Sequence, residues 1–187
     1  MSEQLQHIQI LIQQDRFKEA KARLMQALAS EPEDVWLNAM LAYCIVLDGE
    51  PAKALDAANR AVALAPDLPF PQFVLGTAYN ALGRHKEALA AADAALRLDP
   101  TDADLHGLAA TAHAHMNHWR DCLEASERGL QHDPEDHICR HFRTHALTKL
   151  GRHAEAGAMA RESLRLDPQN PLAFANQGWT FLHENRH

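Results

Sequence analysis

Apolar residues along the chain recur at spacings of three and four, the pattern of helices with one buried face. The clearest case lies in residues 69–102. One face of its predicted first helix carries Leu75, Gly76, Tyr79 and Leu82. A second helix is predicted from His85 to Leu98, ending before Asp99-Pro100 because a residue that precedes proline disfavours helical geometry. Gly83, between the two, suits a left-handed helix cap. This segment is therefore predicted to form a helical hairpin.

The hairpin pattern repeats along the chain with a period of 34 residues. The prolines that mark it are Pro32, Pro66, Pro100, Pro134 and Pro168, and the turn-compatible residues in step with them are Asp15, Gly49, Gly83, Asn117 and Gly151. One hairpin cannot bury its apolar face alone, so neighbouring hairpins must stack. We predict one all-α domain over 1–187, an α-solenoid of antiparallel helix pairs. Its repeats are 1–34, 35–68, 69–102, 103–136, 137–170 and the half repeat 171–187.

The unit resembles the tetratricopeptide repeat. In residues 69–102 the matching positions are Leu75-Gly76-x-x-Tyr79, Gly83, Ala88, Ala95 and Pro100, and in residues 35–68 they are Leu41-Ala42-x-x-Ile45, Gly49, Ala54, Ala61 and Pro66. The resemblance covers the whole chain. It implies a right-handed superhelix whose first helices line a concave surface, and it implies a protein-binding scaffold without specifying the ligand.

A groove face follows from helical angles of about 100° per residue. In the second and third repeats this face is apolar or aromatic, and its predicted partner-binding residues are Trp36, Ala39, Tyr43, Phe70, Phe73, Thr77 and Asn80. Exposed aromatic clusters of this kind mark interaction sites. Coverage of the same residues by neighbouring repeats is the alternative interpretation. Toward the C-terminus the predicted groove becomes polar, with Thr111, His141, His145 and Trp179, and Gly107 is expected to leave room for a ligand.

Some tetratricopeptide proteins grip acidic C-terminal tails through cationic groove residues. The corresponding positions here hold Leu5, Gln9, Met40, Phe70 and Val74, none of which carries a positive charge. Recognition of acidic tails is therefore not expected.

His137, His141 and His145 are spaced four apart, on one face of a predicted helix. Two imidazoles at that spacing can share Zn²⁺. No cysteine or carboxylate on the same face completes a tetrahedral set, so we predict neither a physiological metal site nor a cofactor, and we interpret the histidines as polar groove contacts. Whether the row binds metal stays open.

Charge and composition narrow the class of protein further. The formal net charge of −7 disfavours nucleic acid as a partner. The N-terminus lacks a signal-peptide pattern, no apolar run approaches a membrane span, and three cysteines in apolar registers suit buried free thiols. A cytoplasmic location is predicted. Because the sequence shows no glycine-rich phosphate loop, no nucleophile elbow and no paired carboxylates in a plausible pocket, no enzyme activity is predicted.

The leading interpretation is a non-catalytic scaffold that binds an apolar or amphipathic peptide or helix in its concave groove. The alternatives are a self-association domain and an accessory domain of a larger enzyme or assembly. The half repeat 171–187 is expected to expose Phe174, Phe181 and Leu182 as an edge for a homodimer, and the chain is expected to be a fragment of a longer protein.

Overall fold

Ten α-helices make up the described part of the chain, which in this computed structural model comprises residues 3–166, 168, 169, 174 and 178. The helices are α1 Glu3–Gln13, α2 Phe17–Ser30, α3 Val35–Leu47, α4 Pro51–Leu64, α5 Pro69–Ala81, α6 His85–Leu98, α7 Ala103–His115, α8 Trp119–His132, α9 His137–Lys149 and α10 His153–Leu166. They confirm the predicted all-α class and the predicted hairpins, since each of the five repeats that end at or before residue 170 supplies two consecutive helices.

The turns between paired helices obey one backbone rule. A residue with positive φ stands at the same register in all five repeats: Asp15 (56°), Gly49 (80°), Gly83 (74°), Asn117 (62°) and Gly151 (77°). A side chain built on Gly49 would meet nothing within 4 Å, so the left-handed backbone and not crowding favours glycine there. Aspartate and asparagine are among the few other residues that tolerate this conformation.

The starts of the first helices are fixed by aspartate caps in three repeats. The carboxylates of Asp34, Asp102 and Asp136 accept hydrogen bonds from the backbone N–H groups of Leu37, Leu105 and Cys139. The third repeat starts differently, with Pro69 in the first turn of α5, where a missing N–H has no cost.

The loop between repeats is held by a hydrogen bond to a proline carbonyl. Asn38 Nδ2 donates to the Pro32 oxygen at 3.0 Å, and Arg140 Nε donates to the Pro134 oxygen at 2.7 Å. The equivalent His106 places Nε2 3.0 Å from the Pro100 oxygen, so this nitrogen carries the proton. Three chemically different side chains therefore serve one purpose.

The chain divides into two compact units, Met1–Leu98 and Asp99–His187. In the first unit, α1 to α6 pack in sequence, and α3 also packs on α5. Its interior consists of one cluster around Ile8, Leu11 and Leu24 and a second around Ala54, Ala58 and Val74. The alanines allow close approach of the helices.

The second unit has the same internal arrangement. Here α7 to α10 pack in sequence, and α7 also packs on α9. Its core gathers Ala110, Cys122, Leu123, Ala146 and Leu147, all buried. Contacts between consecutive helices, together with contacts between the first helices of adjacent repeats, are the packing of a helical-repeat solenoid.

Candidate functional site

Four aromatic rings from α3 and α5 form a cluster in the first unit, which we call the aromatic cluster: Trp36, Tyr43, Phe70 and Phe73. Trp36 stacks on Phe70 with ring centroids 5.3 Å apart, and Phe70 stacks on Phe73 at 6.3 Å. Tyr43 meets Phe70 edge-on at 6.3 Å and Phe73 at 6.1 Å. These separations are typical of favourable ring pairs, so the four rings stabilise one another's positions.

Exposure differs within the aromatic cluster. Trp36 is 51% exposed, and nearby Leu47 is 41% exposed. Tyr43, Phe70 and Phe73 are half-buried and pack against the alanine-rich core. From the sequence, all four aromatic residues were predicted to face the groove and to contact a partner. In the structure, Tyr43, Phe70 and Phe73 also pack against the core, and Phe70 is the ring on which the exposed Trp36 stacks.

A cavity of about 450 Å³ opens beside this cluster. It is lined by Gln9, Ile12, Gln13, Trp36, Met40, Tyr43, Leu47 and Phe70, so α1, α3 and α5 all contribute to it. Its volume lies within the range of about 300–1,000 Å³ that is usual for ligand pockets. Aliphatic and aromatic groups dominate the lining, and the two glutamine amides provide hydrogen-bonding groups.

The helix α1 was only partly recognised as part of this site. On the sequence, Gln9 was assigned to a groove position, whereas Ile12 and Gln13 were not predicted to line the groove. The signal was present in the period itself, because Gln9 and Gln13 lie 34 residues before Tyr43 and Leu47. Residues at one register of a repeat array occupy equivalent positions, so the first repeat continues the same lining.

The structure shows the surroundings of three other predicted groove residues, and it contradicts the expectation for Ala39. Ala39 is completely buried, so a partner cannot reach its methyl group. The Thr77 hydroxyl donates to the Phe73 carbonyl oxygen at 2.8 Å, and Asn80 Oδ1 lies 3.1 Å from His85 Nδ1. A helical wheel gives the angle of a side chain but not the neighbours that cover it, which explains the error at Ala39.

In the second unit, Gly107 does not leave room for a ligand. A Cβ built there would meet Ile138 Cγ2 at 3.1 Å, so α9 already fills the space. Thr111, one turn later, donates its hydroxyl to the Gly107 carbonyl oxygen at 2.8 Å. The predicted polar groove of the fourth repeat is therefore used in part for packing between α7 and α9.

The histidine row of α9 is graded in burial. His137 is exposed, whereas His141 and His145 are half-buried with ring centroids 6.1 Å apart. The His145 and Trp119 ring centroids are 5.1 Å apart, and the Lys149 ammonium lies 5.6 Å from the centre of the Trp119 ring. Burial, reinforced by His141, Lys149 and His115, lowers the pKa of His145 to about 4. His145 is thus neutral at physiological pH.

The remaining predicted residues lie near the C-terminus. Phe174 is helical and 53% exposed. Trp179, Phe181 and Leu182 lie outside the described residues.

The cysteines are buried, as the sequence predicted. Cys44 and Cys122 direct Sγ at the carbonyl oxygens of Phe17 and Phe142, at 3.4 and 3.7 Å. Burial raises the pKa of all three thiols, Cys139 included. Thiols held protonated in this way are poor nucleophiles and poor metal ligands.

Comparison with known families agrees with the architecture. Models described as tetratricopeptide repeat match residues 11–72, 79–145 and 145–170. The chain belongs to the tetratricopeptide repeat family, whose members generally mediate protein–protein interactions and are typically non-catalytic. A comparison with curated protein sequences gives no significant match. Every helix in the described part of the chain is too short or too polar to cross a bilayer.

Solved structures share the fold at low identity. TTC0263, a thermophilic TPR protein of Thermus thermophilus, matches with a TM-score of 0.85 and 23% identity over 96% of this chain and 97% of its own. MamA (41-end) from Desulfovibrio magneticus RS-1 gives 0.71 and 16%, over 91% and 99%. YrrB, described as a TPR protein with an unusual peptide-binding site, gives 0.66 and 23%, over 88% and 85%. These likenesses establish the fold alone.

Proposed function

We propose that the chain is a non-catalytic interaction scaffold that binds an apolar or amphipathic peptide segment in the cavity of its first unit. The observation that carries the proposal is Trp36, half-exposed and stacked on Phe70 at the mouth of a cavity of about 450 Å³. Large aromatic side chains that are held rigid and left partly exposed are the residues that dominate binding energy at interfaces.

The chemistry of the lining determines the kind of segment. Ile12, Met40 and Leu47 offer apolar contacts, so an inserted side chain should be aliphatic or aromatic. Methionine adapts its shape to different apolar side chains, which suits a site for a peptide anchor. The amides of Gln9 and Gln13 can donate to and accept from a peptide backbone. None of the lining residues is charged, so an acidic tail has no cation to pair with.

Comparison supports the same class of ligand. YrrB is a TPR protein with a described peptide-binding site, and members of the family generally bind other proteins. Self-association is the second candidate, favoured by the 53% exposure of Phe174. In that case a second copy of the chain would cover Phe174.

Peptides selected by phage display against the wild-type chain provide the test. We expect selected peptides to carry apolar anchors and to bind Trp36→Ala about 30-fold more weakly, the loss typical of an interface hot spot of about 2 kcal/mol. Fluorescence polarisation of the labelled peptides measures the affinity. Tyr43→Ala with Phe73→Ala should weaken binding too, with some loss of stability because both rings pack on the core.

Met25→Ala is the matched control, because Met25 is 62% exposed on α2 and does not line the cavity. The Met25→Ala variant should bind the peptides with the affinity of the wild type. Circular dichroism should show that Trp36→Ala keeps the helicity of the wild type. Equal affinity of wild type and Trp36→Ala would refute the proposed groove. Concentration-dependent dimerisation in sedimentation, abolished by Phe174→Ser, would then favour self-association.

A further inference from the structure

The turn between the two helices of a repeat carries an ion pair in four of the five repeats. The partners stand three residues apart at one register, and the pairs are Arg16–Glu19 at 2.6 Å, Lys53–Glu50 at 2.7 Å, Arg84–Glu87 at 3.0 Å and Arg152–Glu155 at 2.7 Å. In these four repeats, the side chains at the two positions therefore form an ion pair at the surface.

The fourth repeat has different chemistry at the same positions. They hold His118, immediately before α8, and Asp121, in the first turn of α8. An imidazole and a carboxylate thus replace the strong cation and anion of the other repeats. Unlike guanidinium, a neutral imidazole has a lone pair with which it can ligate a metal.

A third position of the same turn is also changed in this repeat. His113, in the last turn of α7, stands at the register where the other repeats have Leu11, Ile45, Tyr79 and Leu147. The third repeat shows that this register reaches the turn, because the Arg84 guanidinium lies 4.4 Å from the centre of the Tyr79 ring. In the fourth repeat, the His113 and His118 ring centroids are 6.1 Å apart.

The three residues that distinguish the fourth repeat lie close together in the structure. Each of the three residues, His113, His118 and Asp121, offers one ligand atom. These three atoms all lie within 4.8 Å of one another. Two imidazole nitrogens and a carboxylate oxygen are ligands that zinc accepts at about 2.0–2.2 Å. Tetrahedral coordination at that length places ligand atoms about 3.3 Å apart. Because His118 and Asp121 are exposed, small side-chain rotations can close the remaining distance.

We propose that His113, His118 and Asp121 form a binding site for a divalent transition-metal ion, with zinc as the ion that best fits the ligands. The ion would join the last turn of α7 to the first turn of α8, and a fourth coordination position would face solvent. This proposal departs from the sequence-based expectation of no metal site. It also differs in place from the His137, His141 and His145 row, which does not bring a third ligand within the same range in the described part of the chain.

The third repeat provides the template for a variant that should lack the proposed site. His113→Tyr, His118→Arg and Asp121→Glu together rebuild the Tyr79, Arg84 and Glu87 arrangement of the third repeat, so this triple variant should fold. Zinc affinity is measured on the full chain by competition with a chromophoric chelator. We expect one zinc ion per wild-type chain, and binding weaker by at least about tenfold in the triple variant.

A control variant separates this site from the other histidines. His137→Gln with His141→Gln should keep the wild-type affinity. Cobalt(II) gives a second readout, because intense visible absorption from a tetrahedral ion should appear in the wild type and change in Asp121→Asn. The proposal is wrong if the wild type binds no zinc, if the triple variant binds as tightly as the wild type, or if the control variant loses the site.

Discussion

The two units use one backbone design but present different chemistry at equivalent positions. Where the first unit has Trp36, Phe70 and Phe73, the second has Asp104, Ile138 and His141 at the corresponding registers. The first unit therefore exposes a stacked aromatic surface beside a cavity, and the second exposes imidazoles and carboxylates. Buried positions differ much less, since alanine, leucine and cysteine fill both interiors. The two units therefore differ mainly at exposed positions of the repeat. The positions that pack the interior hold the same kinds of residue in both units.

The largest effect should come from the interior that both units share. Leu11 and Leu147 stand at the same register and are fully buried. We expect Leu11→Ala and Leu147→Ala each to lower the free energy of unfolding by about 2–5 kcal/mol, because each leaves a cavity. Urea titration followed by circular dichroism gives the loss, and native-state hydrogen exchange assigns it to a unit. A loss below about 1 kcal/mol in only one unit would show that the two interiors are not equivalent.

A smaller effect should distinguish the interiors at one position. Gly129 in α8 corresponds to Ala61 in α4, which is completely buried. A Cβ on Gly129 would overlap Cys139 Sγ and approach His106 Cβ to 3.1 Å. We expect Gly129→Ala to destabilise the chain by about 1–3 kcal/mol, although alanine is the better helix former. Thermal or urea unfolding measures the change.

The matched control removes the atom that causes the overlap. In a Cys139→Ala background the sulfur is absent, so Gly129→Ala should cost far less than in the wild type. An equal cost in both backgrounds would assign the effect to His106 or to the backbone.

The smallest effect concerns His145, which has no histidine counterpart in the first unit. Its pKa of about 4 in the folded chain lies below the ordinary value of 6.5. Between these pH values the unfolded chain binds a proton that the folded chain does not, so stability present above about pH 6.5 is lost as pH falls toward 4. Because the ring is only half-buried, screening by solvent should limit this loss to about 1 kcal/mol.

The measurement compares the wild type with His145→Gln. Urea unfolding at a series of pH values should show a shallower decline between pH 6.5 and 4 in the variant, and NMR titration of the His145 ring should give a midpoint well below 6.5. A midpoint near the ordinary value would mean that the contacts with Trp119 and His141 do not keep the ring neutral.

The fold was predictable because its determinants are local and periodic. The positive-φ residues, the prolines and the apolar spacing each repeat every 34 residues, so an error in one repeat is corrected by the others. Placement of α6 at His85–Leu98 follows from this punctuation alone. For the cavity, the sequence allowed a prediction of some lining residues but not of which positions are covered by neighbouring helices. Trp36 and Phe70 were visible as aromatic residues, but the burial of Ala39 and the filling of Gly107 depend on which neighbour covers each position.

The cluster of His113, His118 and Asp121 was missed for a different reason. None of the three residues was predicted as part of a site, whereas the histidine row of α9 attracted attention because its spacing of four is regular. The informative signal was a departure from the ion pairs of the other repeats, which becomes visible only when the contacts made at that register are known. Periodicity predicts where a position lies, and the proposed metal site lies where the residues of one repeat depart from it.

The hydrogen bond from Asn38, His106 or Arg140 to a proline carbonyl shows how such exceptions can arise without harm. The loop requires a donor of sufficient reach and does not require a particular amino acid. The three donors are an amide, an imidazole and a guanidinium. A repeat can therefore change the chemical group at this loop while the hydrogen bond to the proline carbonyl is kept, and the array is more uniform in its hydrogen bonds than in its amino acids.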